Sequence, residues 1–236
     1  IHFAPTESSG ENLIQEKCSK NSIFITGNTV IDSLHWVVNR FKTDSKREAS
    51  IVKFLSKYLS FDLDRNKFIL ITGHRRENFG KGFVDICEAL SELAVKFPDM
   101  QFVYPVHLNP NVQEPVNAVL SQFKNIHLIS PLDYEPFIYL LTKCFLVLTD
   151  SGGIQEEAPS IGKPVLVMRD VTERPEAVTA GTVKLVGANK INIVKEVSEI
   201  VENQASYLSM SQAHNPYGDG NASKRIINQI KRELYE

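Results

Sequence analysis

No apolar run in these 236 residues approaches the roughly 20 that a bilayer-crossing helix needs, so the pattern excludes a membrane-spanning segment of that kind. Cysteine is scarce. Cys18, Cys87 and Cys144 lie far apart among apolar neighbours, which offers neither a metal-ligand spacing nor an even disulfide set; buried thiols are expected at all three. Charge of one sign is lacking too: 26 basic against 28 acidic residues give a formal net charge of -2. With both signs spread along the chain, nothing marks a nucleic-acid face or a polybasic membrane anchor. Internal repeats and low-complexity segments are absent, and no signal-peptide pattern opens the sequence, so a cytoplasmic protein is expected. An initiating Met is missing as well. The chain opens Ile1-His2-Phe3-Ala4-Pro5-Thr6, an apolar strand-like run, and is expected to begin in mid-protein.

What is present is a hydrophobic content of 42%, enough for one good core. Continuous apolar runs fall at Phe68 to Ile71, Phe102 to Val106, Ile126 to Ile129, Phe145 to Leu148, Val165 to Met168 and Val183 to Val186. Runs without alternation predict strands covered on both faces. Between them, Phe83, Ile86, Cys87, Leu90, Leu93, Ala94 and Phe97 recur at spacings of three and four. Val112, Val116, Val119, Leu120 and Phe123 do the same, as do Ile193, Val194, Val197, Ile200 and Val201. Strand and helix alternation predicts an α/β fold, a doubly wound parallel sheet of Rossmann-like type, with ligands at the carboxyl ends of the strands. Residues 1 to about 27 read as strand, helix and strand, and Gly27-Asn28-Thr29 as a hinge. Asn215-Pro216-Tyr217-Gly218-Asp219-Gly220 is a turn cluster before a helix with Ala222, Ile226, Ile230 and Leu234 on one stripe.

The polar motifs all follow predicted strands. Thr72-Gly73-His74-Arg75-Arg76-Glu77-Asn78 follows the first long run, and His107-Leu108-Asn109-Pro110-Asn111 the second. Thr149-Asp150-Ser151-Gly152-Gly153-Ile154-Gln155-Glu156-Glu157 follows the fourth. Small residues at Ser151, Gly152 and Gly153, at the start of a helix, let a diphosphate approach free main-chain N–H groups at the positive end of the helix dipole. Glu156 and Glu157, one turn later, suit ribose hydroxyls better than phosphate. An Arg fork fits phosphate or carboxylate in bidentate fashion. Each piece has a plainer alternative. The Ser-Gly-Gly stretch reads equally as a turn capped by Asp or Ser, and His74-Arg75-Arg76-Glu77 as a salt-bridged helix cap. Tyr134 and Phe137 read as core or rim, and His107 as a partner of loop carbonyls. His2, His35, His127 and His214 carry no motif. Convergence on one edge of the sheet favours a site.

Together, Gly27-Asn28-Thr29-Val30-Ile31-Asp32, Thr72 to Asn78, Pro105 to Asn111, Asp150 to Pro159, Thr172-Glu173-Arg174-Pro175-Glu176-Ala177 and Asn215 to Gly220 closely resemble the non-hydrolysing bacterial UDP-N-acetylglucosamine 2-epimerases. The resemblance covers essentially the whole chain. It implies the C-terminal half of a two-domain fold like that of the GT-B glycosyltransferases. Residues 1–30 would be the last βαβ piece of the N-terminal domain and a hinge, 31–212 the UDP-binding domain, and 213–236 a turn and helix returning to the N-terminal domain. The family removes the C2 proton, expels UDP to leave 2-acetamidoglucal, and returns UDP and a proton on the opposite face of C2. No cofactor or metal is implied, and the full-length enzyme is expected to be a homodimer.

Carried over by motif, Ser151, Gly152 and Gly153 hold the diphosphate and Glu157 the ribose. Arg174 lies near the nucleotide and Phe137 beside the uracil; Arg75 and His107 join the substrate site, and His74 is the catalytic contributor. The carboxylates that move the C2 proton in the family belong to the N-terminal domain, and their motifs do not occur in these residues. The chain taken alone is therefore expected to be catalytically silent, with the faces of Ile1 to Ala4 and of Ile226, Ile230 and Leu234 bare. A GT-B glycosyltransferase and a non-catalytic UDP-sugar-binding module are the alternatives.

Overall fold

Residues 1–235 are described by a computed structural model of the chain. The first unit is a small βαβ: β1 (His2–Ala4) and β2 (Ile23–Ile25) pair in parallel, joined by α1 (Glu7–Gln15), whose first turn is capped by Thr6. Then come two helices that the apolar patterns above do not announce, α2 (Thr29–Thr43) and α3 (Ser45–Leu55). Their cause is local. Asn28 and Asp44 cap the helices by accepting from Val30 N and Arg47 N at 3.0 Å, and Ile31, Leu34, Val37 and Phe41 form a buried stripe.

Six strands form the main sheet: β3 (Phe68–Thr72), β4 (Gln101–Pro105), β5 (Ile126–Ile129), β6 (Leu146–Thr149), β7 (Val165–Val167) and β8 (Val183–Leu185). All pair in parallel, in the order β5-β4-β3-β6-β7-β8. The order runs outward one way from β3 and the other way from β6. This is the doubly wound arrangement, and its topological switch point lies between those two strands.

Alternation along each strand divides the core into two layers. Ile69, Ile71, Phe102, Tyr104, Leu146, Leu148 and Leu166 face α4 (Lys81–Lys96), α5 (Pro110–Leu120) and α9 (Lys190–Glu202). Phe68, Leu70, Val103, Val147, Val165 and Val167 face α2, α3, α6 (Tyr134–Lys143), α7 (Ile154–Ser160) and α8 (Pro175–Thr179). Every residue of both strand sets is fully buried. At about 1.5–3 kcal/mol for each large side chain removed from water, this two-sided burial is what turns continuous apolar runs into strands.

The chain ends with α10 (Gln204–Ser211), also unannounced by the patterns, and α11 (Ala222–Tyr235). The Asp32 carboxylate accepts from Ala222 N and Ser223 N, which seats the start of α11 on α2. Hence the apolar stripe of α11 is only partly bare. Ala222 is buried, Ile226 and Ile230 are half-buried, and Leu234 is exposed. Phe3 and Ala4 are likewise covered to differing degrees while Ile1 is exposed. One further expectation changes. Cys87 and Cys144 are buried but Cys18 is half-buried, because it lies in the turn after α1 rather than in a core layer.

The Gly27-Asn28-Thr29 segment runs against the Asn215 to Gly220 turn. Gly27 (φ 86°) lies back to back with Gly218 (φ 121°), and Asn28 N donates to Tyr217 O at 2.8 Å. A Cβ on Gly27 would stand 3.4 Å from Gly218 Cα, so the two main chains cross where side chains have no room.

Candidate functional site

Three loops leave the carboxyl ends of β3, β4 and β6 on the same edge of the sheet, as the motif positions imply. Asp150 organises them. It ends β6 fully buried, and its Oδ2 accepts from His74 N at 2.9 Å and Arg75 N at 2.8 Å. Asn78, itself buried, donates to Met168 O at 3.2 Å and reaches the same Asp150 oxygen at 3.4 Å, which ties the β3, β6 and β7 ends together. His74 Nδ1 stands 3.1 Å from Asp150 Oδ1, off the hydrogen-bond axis. Burial alone would push the Asp150 carboxyl up. The His74 side chain and the two main-chain amides outweigh it and hold the group below its usual range.

His74 is half-open to solvent and stacks on His107, with ring centroids 5.8 Å apart and planes 25° from parallel. His107 Nδ1 accepts from Asn109 N at 3.1 Å, so its Nε2 carries the hydrogen of the neutral ring. The two imidazoles, from the ends of β3 and β4, form one surface.

Opposite them lies the Ser151-Gly152-Gly153 turn. Ser151 N is taken by Thr149 Oγ1 at 2.9 Å, whereas the Gly152 and Gly153 amides donate to no protein group among the described residues. Neither Asp150 nor Ser151 caps α7; Gly153 opens it with no side-chain cap, so the ordinary capped-turn reading does not hold here. Arg75 overhangs the turn. A Cβ on Gly152 would stand 3.7 Å from Arg75 Nη2, and one on Gly153 would meet nothing within 4 Å. Among the described residues, the Arg75 Nε is buried without a partner, and its guanidinium has one distant carboxylate neighbour, Glu173 at 3.9 Å. A half-buried guanidinium with an unpartnered Nε above two free amides directs hydrogen-bond donors of the kind an anion accepts.

Other charges gathered from the motifs hold the loops instead. Arg169, almost wholly buried, donates to Glu77 and bidentately to Glu173. Its guanidinium, by hydrogen bonding, draws the Glu173 carboxyl down to about 2. Glu77 is thereby removed from the site, which the helix-cap reading of that cluster did not anticipate. Arg174 Nε pairs with Glu156, whose other oxygen accepts from Asn28 Nδ2 at 2.7 Å. Of the two carboxylates read as ribose acceptors, Glu156 is therefore structural. Glu157 remains, buried on α7, with Tyr134 Oη donating to its Oε1 at 2.7 Å. Phe137 lies half-buried on the same first turn of α6 as Tyr134.

Sequence reasoning missed Asp150, Asn78 and Tyr134 as organisers. The only signal was positional, since an Asp closing an apolar strand run is either buried with partners or excluded from the strand.

A doubly wound parallel sheet with polar loops gathered at its switch point defines a Rossmann-like unit of the GT-B kind. The family model described as "UDP-N-acetylglucosamine 2-epimerase" matches residues 1–231, and the chain belongs to that family. It is 57% identical over 228 residues to the UDP-N-acetylglucosamine 2-epimerase of Campylobacter jejuni, covering 97% of this chain and 59% of that protein. The crystal structure of the Neisseria meningitidis UDP-GlcNAc 2-epimerase bound to UDP-GlcNAc superposes with a TM-score of 0.90 at 49% identity, covering 98% of this chain and 61% of that one. A glycosyltransferase from Rickettsia africae, at 15% identity and a TM-score of 0.64, shares the fold alone. The chain thus spans about three-fifths of the length of the relatives it matches.

Proposed function

We propose that the chain carries the UDP-holding half of a UDP-N-acetylglucosamine 2-epimerase, which interconverts UDP-N-acetylglucosamine and UDP-N-acetylmannosamine by eliminating and returning UDP. The observation that carries the reading is the buried, unpartnered Arg75 Nε above the free Gly152 and Gly153 amides. Eliminating UDP builds negative charge on the diphosphate. Donors already aimed at that charge stabilise it without reorganising, and loss of one such donor typically costs on the order of 100-fold in rate.

In this reading Ser151, Gly152, Gly153 and Arg75 take the diphosphate, Glu157 the ribose, and Phe137 the uracil face. His74, backed by Asp150 and stacked on His107, stands where it meets the departing diphosphate and the sugar. Arg174 acts at one remove, by holding Glu156 and so the seat of α7. No cofactor enters the reaction. Residues 31–212 form the UDP-binding domain; residues 1–30 and 213–236 belong with the facing domain. Supporting that division, Arg225 donates to Thr26 O at 3.1 Å, linking the C-terminal helix to the end of the first βαβ unit. Cytoplasmic location and a homodimeric full-length enzyme complete the proposal.

The test is UDP binding by calorimetry. Gly152→Val puts a branched side chain against Arg75 and between ligand and amides, and should weaken UDP by at least tenfold, about 1.4 kcal/mol. Unchanged affinity in a folded Gly152→Val protein would overturn the placement.

A further inference from the structure

Glu156 and Glu157 are neighbours on α7, both nearly sealed from solvent, yet they are treated very differently. Glu156 has Arg174 on one oxygen and Asn28 on the other. Among the described residues, Glu157 receives a side-chain hydrogen bond from Tyr134 alone, at 2.7 Å, on Oε1. Among the described residues its Oε2 makes no hydrogen bond, and it is not enclosed. A buried carboxylate with a single donor is an expensive arrangement unless the free oxygen meets something.

Tyr134 is an odd donor for a merely structural purpose. Its residue is 41% exposed, and it stands at the first turn of α6, one turn from Phe137. A hydroxyl in that position has water available. It turns instead to Glu157, across two helices that pack on the same face of the sheet. Fixing Oε1 removes the carboxylate's freedom to rotate and leaves one oxygen, in one direction, for a ligand. Burial and the neighbouring Glu156 both push the Glu157 carboxyl up, and the Tyr134 hydrogen bond opposes them, so the donor also favours the ionised acceptor.

We propose that Tyr134 is a positioning residue which clamps Glu157 Oε1 and presents Oε2 to ribose hydroxyls, so that the site selects a ribonucleoside diphosphate over its deoxy forms. The inference rests on the UDP-holding reading above, with Glu157 at the ribose. It assigns the sugar selectivity to a residue on a different element from the carboxylate itself.

The experiment is a ligand cycle by titration calorimetry, using UDP and 2′,3′-dideoxy-UDP on the wild-type chain and on Tyr134→Phe, which keeps the ring and its packing. Wild type should prefer UDP by about tenfold or more, the scale of a hydrogen bond to a charged group. Tyr134→Phe should lose most of that preference through weaker UDP binding, while its affinity for the dideoxy ligand stays within about twofold. A structural role would weaken both ligands alike. Equal weakening of both, or no change in either, overturns the inference and leaves the UDP reading intact. Failure of the wild-type chain to bind UDP at all removes the reading and the inference together. A thermal melt of Tyr134→Phe within a few degrees of wild type establishes that the comparison is between folded proteins.

Discussion

Asp150 shows how one buried carboxylate can set a whole loop. Its Oδ2 receives two consecutive amides, and its Oδ1 faces the His74 ring, so the charge fixes both the main chain and the imidazole. Because its folded pKa lies below the unfolded value, Asp150 contributes stability that is present above the unfolded carboxylate range and lost as pH falls through the folded pKa. Asp150→Asn keeps an oxygen for the amides and removes the charge. It should lower stability at neutral pH by about 1–3 kcal/mol, the worth of hydrogen bonds to a buried charge. It should also flatten the decline in melting temperature between neutral and acid pH. Calorimetric melts across that range check both, and parallel pH profiles for variant and wild type would falsify the role of the charge.

Among elements, α7 is the most connected. Its N-terminal turn carries the free Gly152 and Gly153 amides. Glu156, just inside it, is held by Arg174 before α8 and by Asn28 before α2; Asn215 Nδ2 donates to Glu156 O at 3.0 Å. The helix that this turn opens is thus braced by three distant chain segments. Asn28 has two tasks, since its Oδ1 caps α2 while its Nδ2 reaches Glu156. Asn28→Ser retains a capping oxygen but is too short to reach Glu156, whereas Asn28→Ala loses both. Alanine should cost about 1–3 kcal/mol in urea unfolding and serine about half of that, the difference measuring the brace. Equal costs for the two variants would mean that only the cap matters.

For the whole molecule, the site as it stands is an edge. Loops from β3, β4 and β6 leave the sheet at the switch point, and His74, His107 and the Ser151 to Gly153 turn lie on that edge. Proton transfer at C2 requires groups within hydrogen-bond reach of that carbon. The family resemblance assigns those carboxylates to the N-terminal domain, whereas the matched relatives are longer than this chain by about two-fifths of their length. A polypeptide of these 236 residues should therefore retain UDP binding but leave the C2 proton of UDP-N-acetylglucosamine in place. Incubation in heavy water, read by proton NMR, should show no deuterium at C2 beyond a protein-free control. Incorporation well above that control would place an acid and a base on this half.

The strands and the edge they share were legible in the residues alone, because strands covered on both faces must be apolar without interruption, and a polar motif that follows such a run lies at its carboxyl end. So were His74, Arg75 and the Ser151 to Gly153 turn as candidates, since their residue types report chemistry directly. Tertiary structure alone decided which charges were available. Glu77, Glu156, Glu157 and Glu173 look alike in a string, but Arg169 engages two of them and Arg174 with Asn28 a third. Of the two nearly sealed carboxylates, Glu156 and Glu157, the second keeps an oxygen without a partner among the described residues. Pairing depends on distances between residues far apart in the chain, which no local pattern encodes. The same holds for α2, whose cap is local but whose seat beside the Tyr217 turn is settled only where two glycines let the main chains cross.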